Sequence, residues 1–392
     1  MSSTQPSDLC PAPVRAALDR AVELGEVGLQ VAAYLDGKLI VDAWTGQADP
    51  EAGRPVGPDT LFPIFSVTKA LATVSVHVQA ERGLVEYDAP LARYWPEFAA
   101  HGKDGVRVAD VLTHRSGVPH IPQGTGVAEM ADWDHMAQGI ADLAPLYPPG
   151  ERSTYQARSM GWMLGEVVRR TDPEGRPFGR FLREEILDPL GCADTWVGLP
   201  DEQEGRLAAL VGAYAGPTPD TLAPGRGKAY GSLTAPDIYA SRTLRRACLP
   251  ASGAITTARS EARFWAMLAN GGELDGVRLL SPERVRAFPA RRDNPEEFDE
   301  VLGLVPLIGR GGFWIGGPYP LAEAGIGDRP SVICQPGAGG SLGWADVESG
   351  LAVAICHNRM FTNHPVRDED EHPMTAIGNA VRAVADAARG AA

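Results

Sequence analysis

Lysine and long apolar runs are both scarce in this 392-residue chain. No apolar stretch approaches the roughly 18 residues that a membrane-spanning helix needs, so we expect no transmembrane segment. The first 13 residues are polar and include no apolar core, which argues against a secretory signal. The net charge of −14 disfavours nucleic acid and anionic membranes as partners, because both attract basic surfaces. We therefore expect a cytoplasmic protein that binds small molecules.

Motifs for metals and nucleotides are missing as well. The five cysteines are Cys10, Cys192, Cys248, Cys334 and Cys356. Their number is odd and no two form a C-x-x-C pair, so free thiols in a reducing compartment are the simplest interpretation. The sequence also has no H-E-x-x-H motif, no cluster of Cys and His, and no glycine-rich phosphate loop after an apolar strand. We expect no metal site and no cofactor.

One of the few lysines has an informative neighbour. The lysines are Lys38, Lys69, Lys103 and Lys228. Only Lys69 has a serine, Ser66, three residues before it. Residues three apart share one face of a helix, with Cβ atoms about 5–6 Å apart, so an unprotonated Lys69 would reach the Ser66 hydroxyl. A surface lysine and a helix-capping serine would produce the same spacing, so the four letters alone leave that alternative open.

Strand patterns lie at the two ends of the chain and helical patterns lie between them. Asp36-Gly37 separates two β-rich runs, residues 29–35 and 38–45, which predicts a hairpin. Further strands are predicted at 331–335, 341–346 and 351–357, and helices at 14–23, from 66 to 82, 108–112, 160–170, 178–186, 257–270 and 375–388. Segregated strands and helices predict an α+β fold with one antiparallel sheet flanked by helices.

The same segregation predicts two domains. Residues 1–65 and 250–392 are expected to form a discontinuous sheet domain, and residues 66–249 an inserted, mainly helical domain. The active site is then expected in the cleft between them. Residues 201–250 are rich in Gly, Pro, Ala and Arg and give no clear assignment.

Four segments in one order carry a family resemblance. They are FSVTK at 65–69, LTHRSG at 112–117, a Pro-Gly pair at 149–150 followed by Tyr155, and QPGAGG at 335–340. Together they resemble the class C β-lactamase-related serine hydrolases, which include family VIII carboxylesterases, D-amino-acid-specific amidases and some acyltransferases. The resemblance spans roughly residues 15–385. It implies a fold like that of β-lactamases and penicillin-binding proteins.

The resemblance also implies a role for each matched position. Ser66 would attack an ester or amide carbonyl and form an acyl-enzyme. Lys69, with its pKa lowered by burial, would share proton transfer with Tyr155. The backbone N–H groups of Ser66 and Ala338 would form the oxyanion hole. A buried aromatic with a satisfied hydroxyl is the alternative for Tyr155, and His114 is expected to be structural.

Two positions depart from the family pattern. The Y-x-N motif reads YQA from Tyr155, so the Asn amide is missing. The third motif, K-T-G in many lactamases, reads QPG from Gln335, so a neutral amide replaces a cation that helps hold a substrate carboxylate. We therefore expect a neutral ester or amide as substrate, contacted by Gln335 and Gly337, in preference to a carboxylated β-lactam.

The departures leave the fate of the acyl group open. Hydrolysis needs a positioned water, and a site that fails to position water retains the acyl group for an alcohol or amine. We expect a carboxylesterase-like hydrolase, with an acyltransferase as the alternative. A third possibility is a binding protein that is acylated without turnover, because a fold does not guarantee an activity.

Ser341 and Trp344, which follow the QPGAGG segment, are two further candidate site residues. Ser341 lies in GGSLG, which matches the G-x-S-x-G nucleophile elbow of α/β-hydrolases, and His residues follow it. A glycine-rich turn between antiparallel strands is the competing interpretation. Trp344 follows the Gln335 segment closely, so we expect it to line the substrate pocket, with core packing as its alternative.

Overall fold

The computed structural model describes residues 9–212, 229, 231, 233–318, 322–361 and 371–390. Its strands are β1 (Gly28–Leu35), β2 (Lys38–Asp49), β3 (Arg54–Pro55), β4 (Phe62–Pro63), β5 (Trp196–Val197), β6 (Ala254–Thr256), β7 (Glu273–Leu274), β8 (Val277–Arg278), β9 (Trp314–Ile315), β10 (Val332–Pro336), β11 (Leu342–Asp346) and β12 (Leu351–His357). Its α-helices are α1 (Ala12–Glu23), α2 (Thr68–Glu81), α3 (Val108–Leu112), α4 (Val127–Ala131), α5 (Trp133–Ala141), α6 (Ser159–Thr171), α7 (Phe178–Leu182), α8 (Ala235–Ala240), α9 (Arg242–Arg246), α10 (Ala258–Ala269), α11 (Pro282–Ala287) and α12 (Pro373–Gly390).

The predicted hairpin is present at the N-terminal end of the sheet. Strands β1 and β2 are antiparallel, with Leu35 opposite Lys38, and Asp36-Gly37 forms the two-residue turn. Both turn residues have positive φ, 48° and 75°, as the type I′ geometry requires. The Asp-Gly pair therefore sets the register in which β1 enters the sheet.

One seven-stranded sheet joins the two ends of the chain in the order β3-β2-β1-β12-β11-β10-β9. Strand β12 pairs antiparallel with β1, from Leu29 opposite His357 to Leu35 opposite Leu351. Every residue of β1 and β12 is buried because helices cover both faces of the sheet. The expected α+β fold with a flanked antiparallel sheet is confirmed.

The two faces of the sheet carry different helices. Helix α10 packs on β1, β11 and β12, whereas α1 and α12 pack on each other and contact β2. Gly343 of β11 makes room for Trp265 of α10, since a Cβ atom at this glycine would lie 2.0 Å from the indole nitrogen. Trp344, the next residue, points to the other face, where its ring lies under the guanidinium of Arg382 of α12.

Helix α2 is the central element of the helical region, and it contacts α6, which also packs against α3, α5 and α7. All its residues from Thr68 to Gln79 are buried. The helix ends at Glu81, and Gly83 follows with φ of 73°. Its start differs slightly from the prediction, because Phe65–Val67 form a 3-10 turn and α-helical geometry begins only at Thr68.

A second sheet of three short strands, β4-β6-β5, ties the chain together near both expected domain junctions. Strand β4 precedes Ser66 by three residues, and β6 follows residue 250. The proposed boundaries at 65 and 250 stay a prediction. Part of the unassigned segment 201–250 contains α8 and α9, and residues 213–228, 230 and 232 of that segment lie outside the described residues. Among the described helices, none is long and apolar enough to cross a membrane.

Candidate active site

Ser66 lies in the 3-10 turn that leads into α2 and is partly exposed. The preceding residue, Phe65, has φ of 48°, an uncommon conformation for a bulky side chain and a source of local strain. Surrounding groups hold it there: its N–H donates to the Tyr239 hydroxyl at 3.3 Å, and its carbonyl accepts from the Thr68 hydroxyl. The turn therefore presents Ser66 in a fixed orientation at the helix start.

Lys69 lies one turn further along and is completely buried. Its Nζ atom is 3.0 Å from Oγ of Ser66, 2.8 Å from the carbonyl oxygen of Ala157 and 3.1 Å from that of Ala251. A neutral amine has two N–H groups and one lone pair. Two carbonyl oxygens accept both N–H groups and leave the lone pair for the Ser66 hydroxyl proton; three oxygens would serve an ammonium equally well, so the preference for the uncharged amine comes from burial.

Burial and, to a smaller extent, the positive charge of Arg158 together lower the pKa of Lys69 to about 7. Arg158 is itself buried, and it donates to the carbonyl of Leu233 and lies 3.5 Å from the sulfur of Met130. A substantial fraction of Lys69 is therefore neutral near pH 7. Sequence reasoning missed Arg158 and the carbonyl of Ala251, since no motif connects either of them to Ser66.

Tyr155 lies beside Lys69, with the Nζ atom 5.0 Å from the centre of the phenol ring. The ring of His114 lies 4.7 Å away on a second side. Nδ1 of His114 accepts the backbone N–H of Gln156 at 3.2 Å, and its carbonyl accepts the N–H of Thr154 at 2.8 Å. His114 thus fixes the segment on both sides of Tyr155, and burial holds the pKa of this imidazole well below its usual range.

The turn after β10 packs directly against the turn that carries Ser66. A Cβ atom at Gly337 would lie 2.5 Å from the carbonyl oxygen of Ile64 and 3.2 Å from a methyl group of Val67. Gly337 donates to the carbonyl of Ser341 at 2.8 Å, which closes the turn. Only glycine permits this close approach, and the approach brings the segment containing Ala338 to the Ser66 turn.

Gln335 is buried on β10, and its Nε2 atom has no hydrogen-bond partner within the described part of the chain. It lies opposite Gly343, on the face of the sheet that α10 covers. A buried amide donor without a partner is costly unless another group satisfies it. Gln335 therefore retains a free donor at the third motif position.

The expected pocket role of Trp344 was wrong, whereas the glycine-rich turn considered for Ser341 is present. Trp344 points away from Gly343, to the opposite face of β11, and packs under α12, because side chains alternate along a strand. Ser341 is no nucleophile elbow, since it lies between antiparallel strands β10 and β11 and not in a strand-to-helix turn. Its hydroxyl is buried and accepts the N–H of His357 at 3.3 Å.

A small apolar cluster, separate from the main core, surrounds Tyr155. Its other members are Ala157, Ala229 and Val301, with Leu302 packed against them. The segment that carries Val301 and Leu302 is anchored by Asp299, which accepts the Ser153 hydroxyl at 2.9 Å, and by Glu300, which accepts the Tyr147 hydroxyl at 2.7 Å. No pattern in the sequence indicated that residues about 150 positions apart would meet here.

Comparison with known proteins agrees with this geometry. A sequence model of the β-lactamase family matches residues 14–374. This chain belongs to the β-lactamase family. The chain is 32% identical over 377 residues to esterase/beta-lactamase LipL of Mycobacterium tuberculosis. The alignment covers 92% of this chain and 83% of LipL.

Solved structures of other β-lactamase-family proteins have the same fold. A family VIII carboxylesterase matches with a TM-score of 0.84 and 30% identity, over 94% of this chain and 96% of that one. A penicillin-binding protein homologue from Caulobacter crescentus matches with a TM-score of 0.83 and 31% identity, over 97% and 100% of the two chains. The predicted family and fold are confirmed, and this β-lactamase-family chain is an enzyme of the serine hydrolase type.

Proposed function

We propose that this chain is a carboxylesterase that cleaves neutral esters or amides through an acyl-enzyme on Ser66. The observation that carries the proposal is the environment of Lys69, whose Nζ lies between the Ser66 hydroxyl and two carbonyl oxygens. The complete burial of Lys69 favours the neutral amine, which can accept a proton. The names of LipL, an esterase/beta-lactamase, and of the family VIII carboxylesterase support ester substrates.

Acylation would begin with attack of Ser66 Oγ on the substrate carbonyl carbon. As the new C–O bond forms, the hydroxyl proton passes to Nζ of Lys69 over the 3.0 Å contact. The carbonyl oxygen gains negative charge and accepts hydrogen bonds from the backbone N–H groups of Ser66 and Ala338. One such donor typically stabilises the transition state by about 2.7–4 kcal/mol.

Tyr155 would protonate the leaving group when the tetrahedral intermediate collapses. The C–O bond to the leaving alcohol breaks, the Tyr155 hydroxyl supplies its proton, and the proton held by Lys69 replaces it. His114 keeps the tyrosine segment aligned through its contacts with Gln156 and Thr154. Deacylation reverses the roles, with water as the nucleophile and the same pair returning the proton to Ser66.

The substrate would be uncharged near the scissile bond. Gln335 offers one unpartnered amide donor and no positive charge, and the cluster formed by Tyr155, Val301 and Leu302 offers an apolar wall. A neutral donor discriminates for a carboxylate far less strongly than a cation does. An apolar acyl group therefore fits this wall better than a carboxylated β-lactam does.

Acyl transfer is the second candidate, and one observation favours it. The third position of the Y-x-N motif is Ala157, whose side chain belongs to the apolar cluster around Tyr155. An apolar group at that position supplies no hydrogen bond for an incoming water and favours an alcohol with an apolar body. The acceptor oxygen would form the new C–O bond as the bond to Ser66 Oγ breaks, and the acceptor proton would pass to Tyr155 as Tyr155 gives its own proton through Lys69 to Ser66.

The experiment compares two esters with one leaving group: p-nitrophenyl butyrate and the p-nitrophenyl monoester of succinate. We expect kcat/KM for the butyrate to be at least about tenfold higher, and Gln335→Lys to narrow that ratio. Equal or higher activity on the anionic ester would contradict a neutral substrate. Repeating the butyrate assay with added 1-butanol and measuring butyl butyrate against butyric acid separates transfer from hydrolysis.

A further inference from the structure

A second feature of the molecule lies behind the His114 segment and involves Arg292. This side chain is 97% buried, since only 3% of its surface is exposed. Its Nη1 donates to the carbonyl of Thr113 at 2.7 Å and to the Ser153 hydroxyl at 3.0 Å. Within the residues that the structure describes, its Nε and Nη2 atoms have no hydrogen-bond partner, and it forms no ion pair.

The burial of Arg292 with unpaired N–H groups is unfavourable unless another group accepts hydrogen bonds from them. A buried guanidinium without a counter-charge keeps the full cost of desolvation, and each unpaired N–H adds to that cost. Burial lowers the pKa of Arg292, and the negative charges of Glu297 and Asp299 partly offset that effect. Glu297 is already bound to Arg115, and Asp299 accepts from Ser153, Val301 and Leu302.

Arg292 lines a cavity of about 360 Å³. Residues of α3 and of the Thr113–Arg115 segment that follows it also line this cavity. Three further arginines line it, and each has a carboxylate partner. Arg107 pairs with Asp110 at 2.9 Å, Arg310 pairs with Asp293 at 3.0 Å, and Arg115 pairs with Glu297. Among the described residues that line the cavity, Arg292 is thus the one cation that lacks a carboxylate.

We propose that this cavity binds a small oxyanion, a carboxylate or phosphate group, with Arg292 as its principal ligand. The unpaired Nε and Nη2 atoms, both buried, are the parallel pair of donors that would bind two oxygens of such a group when the guanidinium turns to face it. Asp88, Asp110 and Asp293 also line the cavity. The carboxylates around it pair with the other three arginines, so Arg292 is the cation available to an anion there. The cavity volume exceeds that of a phosphate or acetate ion.

The same arginine connects the cavity to the Ser66 site. Arg292 donates to two acceptors near that site. The first, Thr113, directly precedes His114, and the second, Ser153, lies two residues before Tyr155. An anion that fixes the guanidinium also fixes these two segments. Binding at the cavity is therefore coupled to the position of the His114–Tyr155 pair, and it stabilises the folded chain by mass action.

The test measures thermal unfolding of the full chain as sodium phosphate or sodium acetate is added, with sodium chloride at matched ionic strength as reference. We expect a saturable rise in Tm of about 2–4 °C for at least one oxyanion. Arg292→Met is expected to abolish the response. The readout involves no catalysis, so its outcome is independent of the proposed esterase activity.

Two exposed arginines provide a matched pair of variants that should fold normally. Arg310 and Arg286 each make one surface ion pair, with side chains 66% and 61% exposed, but only Arg310 lines the cavity. Arg310→Glu is expected to raise the half-saturating concentration at least about fivefold, whereas Arg286→Glu is expected to leave it unchanged. A wild-type Tm that responds to neither oxyanion beyond chloride, or an equal response in Arg310→Glu, overturns the proposal.

Discussion

Gly337 meets the carbonyl oxygen of Ile64 so closely that a Cβ atom on this glycine would lie 2.5 Å from that oxygen. Backbone is in contact with backbone at this point, so no flexible side chain can move away to relieve a clash. The contact holds the turn after β10 against the turn of Ser66. The relative position of the two expected oxyanion-hole donors, the N–H groups of Ser66 and Ala338, therefore depends on the absence of a Cβ atom at residue 337.

The first prediction follows from that contact. Gly337→Ala is expected to destabilise the fold by about 1–3 kcal/mol through overpacking, and to lower kcat roughly 10²-fold as the turn is displaced. Chemical denaturation and ester turnover measure the two effects. Gly105→Ala is the control, because a Cβ atom at that glycine meets nothing within 4 Å. A Gly337→Ala variant with wild-type kcat would contradict the placement of the oxyanion hole.

The second prediction concerns the dependence of acylation on pH. Burial lowers the pKa of Lys69 to about 7, and only the neutral amine accepts the Ser66 proton. kcat/KM for a neutral ester should therefore rise with pH through about 7 and then level off, with one titrating group. His114 contributes no step in this range, because burial keeps the pKa of its imidazole well below the usual value. A profile that is flat from pH 5 to 9 would exclude Lys69 as the base.

The third prediction tests the influence of Arg158 on Lys69. The charge of Arg158 lowers the pKa of Lys69, so Arg158→Gln should raise that pKa and move the rising limb to higher pH. Activity below neutral pH should fall several-fold, while the plateau at high pH changes less. Arg158→Lys retains the charge and is expected to restore the original midpoint. A loss of activity that is uniform over all pH values would indicate a purely structural role.

The fourth prediction separates the two serines that sequence motifs single out. Ser341 is buried at the start of β11 and accepts one backbone hydrogen bond at 3.3 Å, so Ser341→Ala should cost about 1 kcal/mol of stability and leave kcat unchanged. A loss of turnover comparable to that of Ser66→Ala would return Ser341 to consideration. His357, whose backbone N–H donates to Ser341, also lies 3.0 Å from Glu26 through its ring. Ser341→Ala therefore tests whether a serine, a histidine and a carboxylate that lie close together take part in catalysis.

Local patterns explain why the sheet was predictable from sequence. The Asp36-Gly37 turn specifies a hairpin by its backbone preferences, and the apolar run that forms β12 has the length and composition of a buried strand. The helix after Ser66 was predicted to within two residues. Its first turn tightened into a 3-10 turn because Phe65 adopts a positive φ that its contact with Tyr239 supports.

Long-range contacts explain what sequence could not supply. The carbonyl of Ala251 reaches Lys69 from 182 residues away, and no spacing rule predicts such a contact. The pocket role expected for Trp344 was wrong because the face to which a strand residue points depends on register with β10, which is a tertiary property. The apolar cluster around Tyr155 could not be predicted for the same reason, since it combines Tyr155 and Ala157 with Ala229 and Val301.

The most direct test of the central claim is the intact mass and peptide map of the enzyme quenched during turnover of p-nitrophenyl butyrate. We expect one butyryl group per chain, located on Ser66, absent in Ser66→Ala and reduced in Lys69→Met. A butyryl group that accumulates on Ser66 without steady release of product would identify a binding protein that is acylated but does not turn over. Full turnover by Ser66→Ala, or a butyryl group on any other residue, would contradict an acyl-enzyme on Ser66.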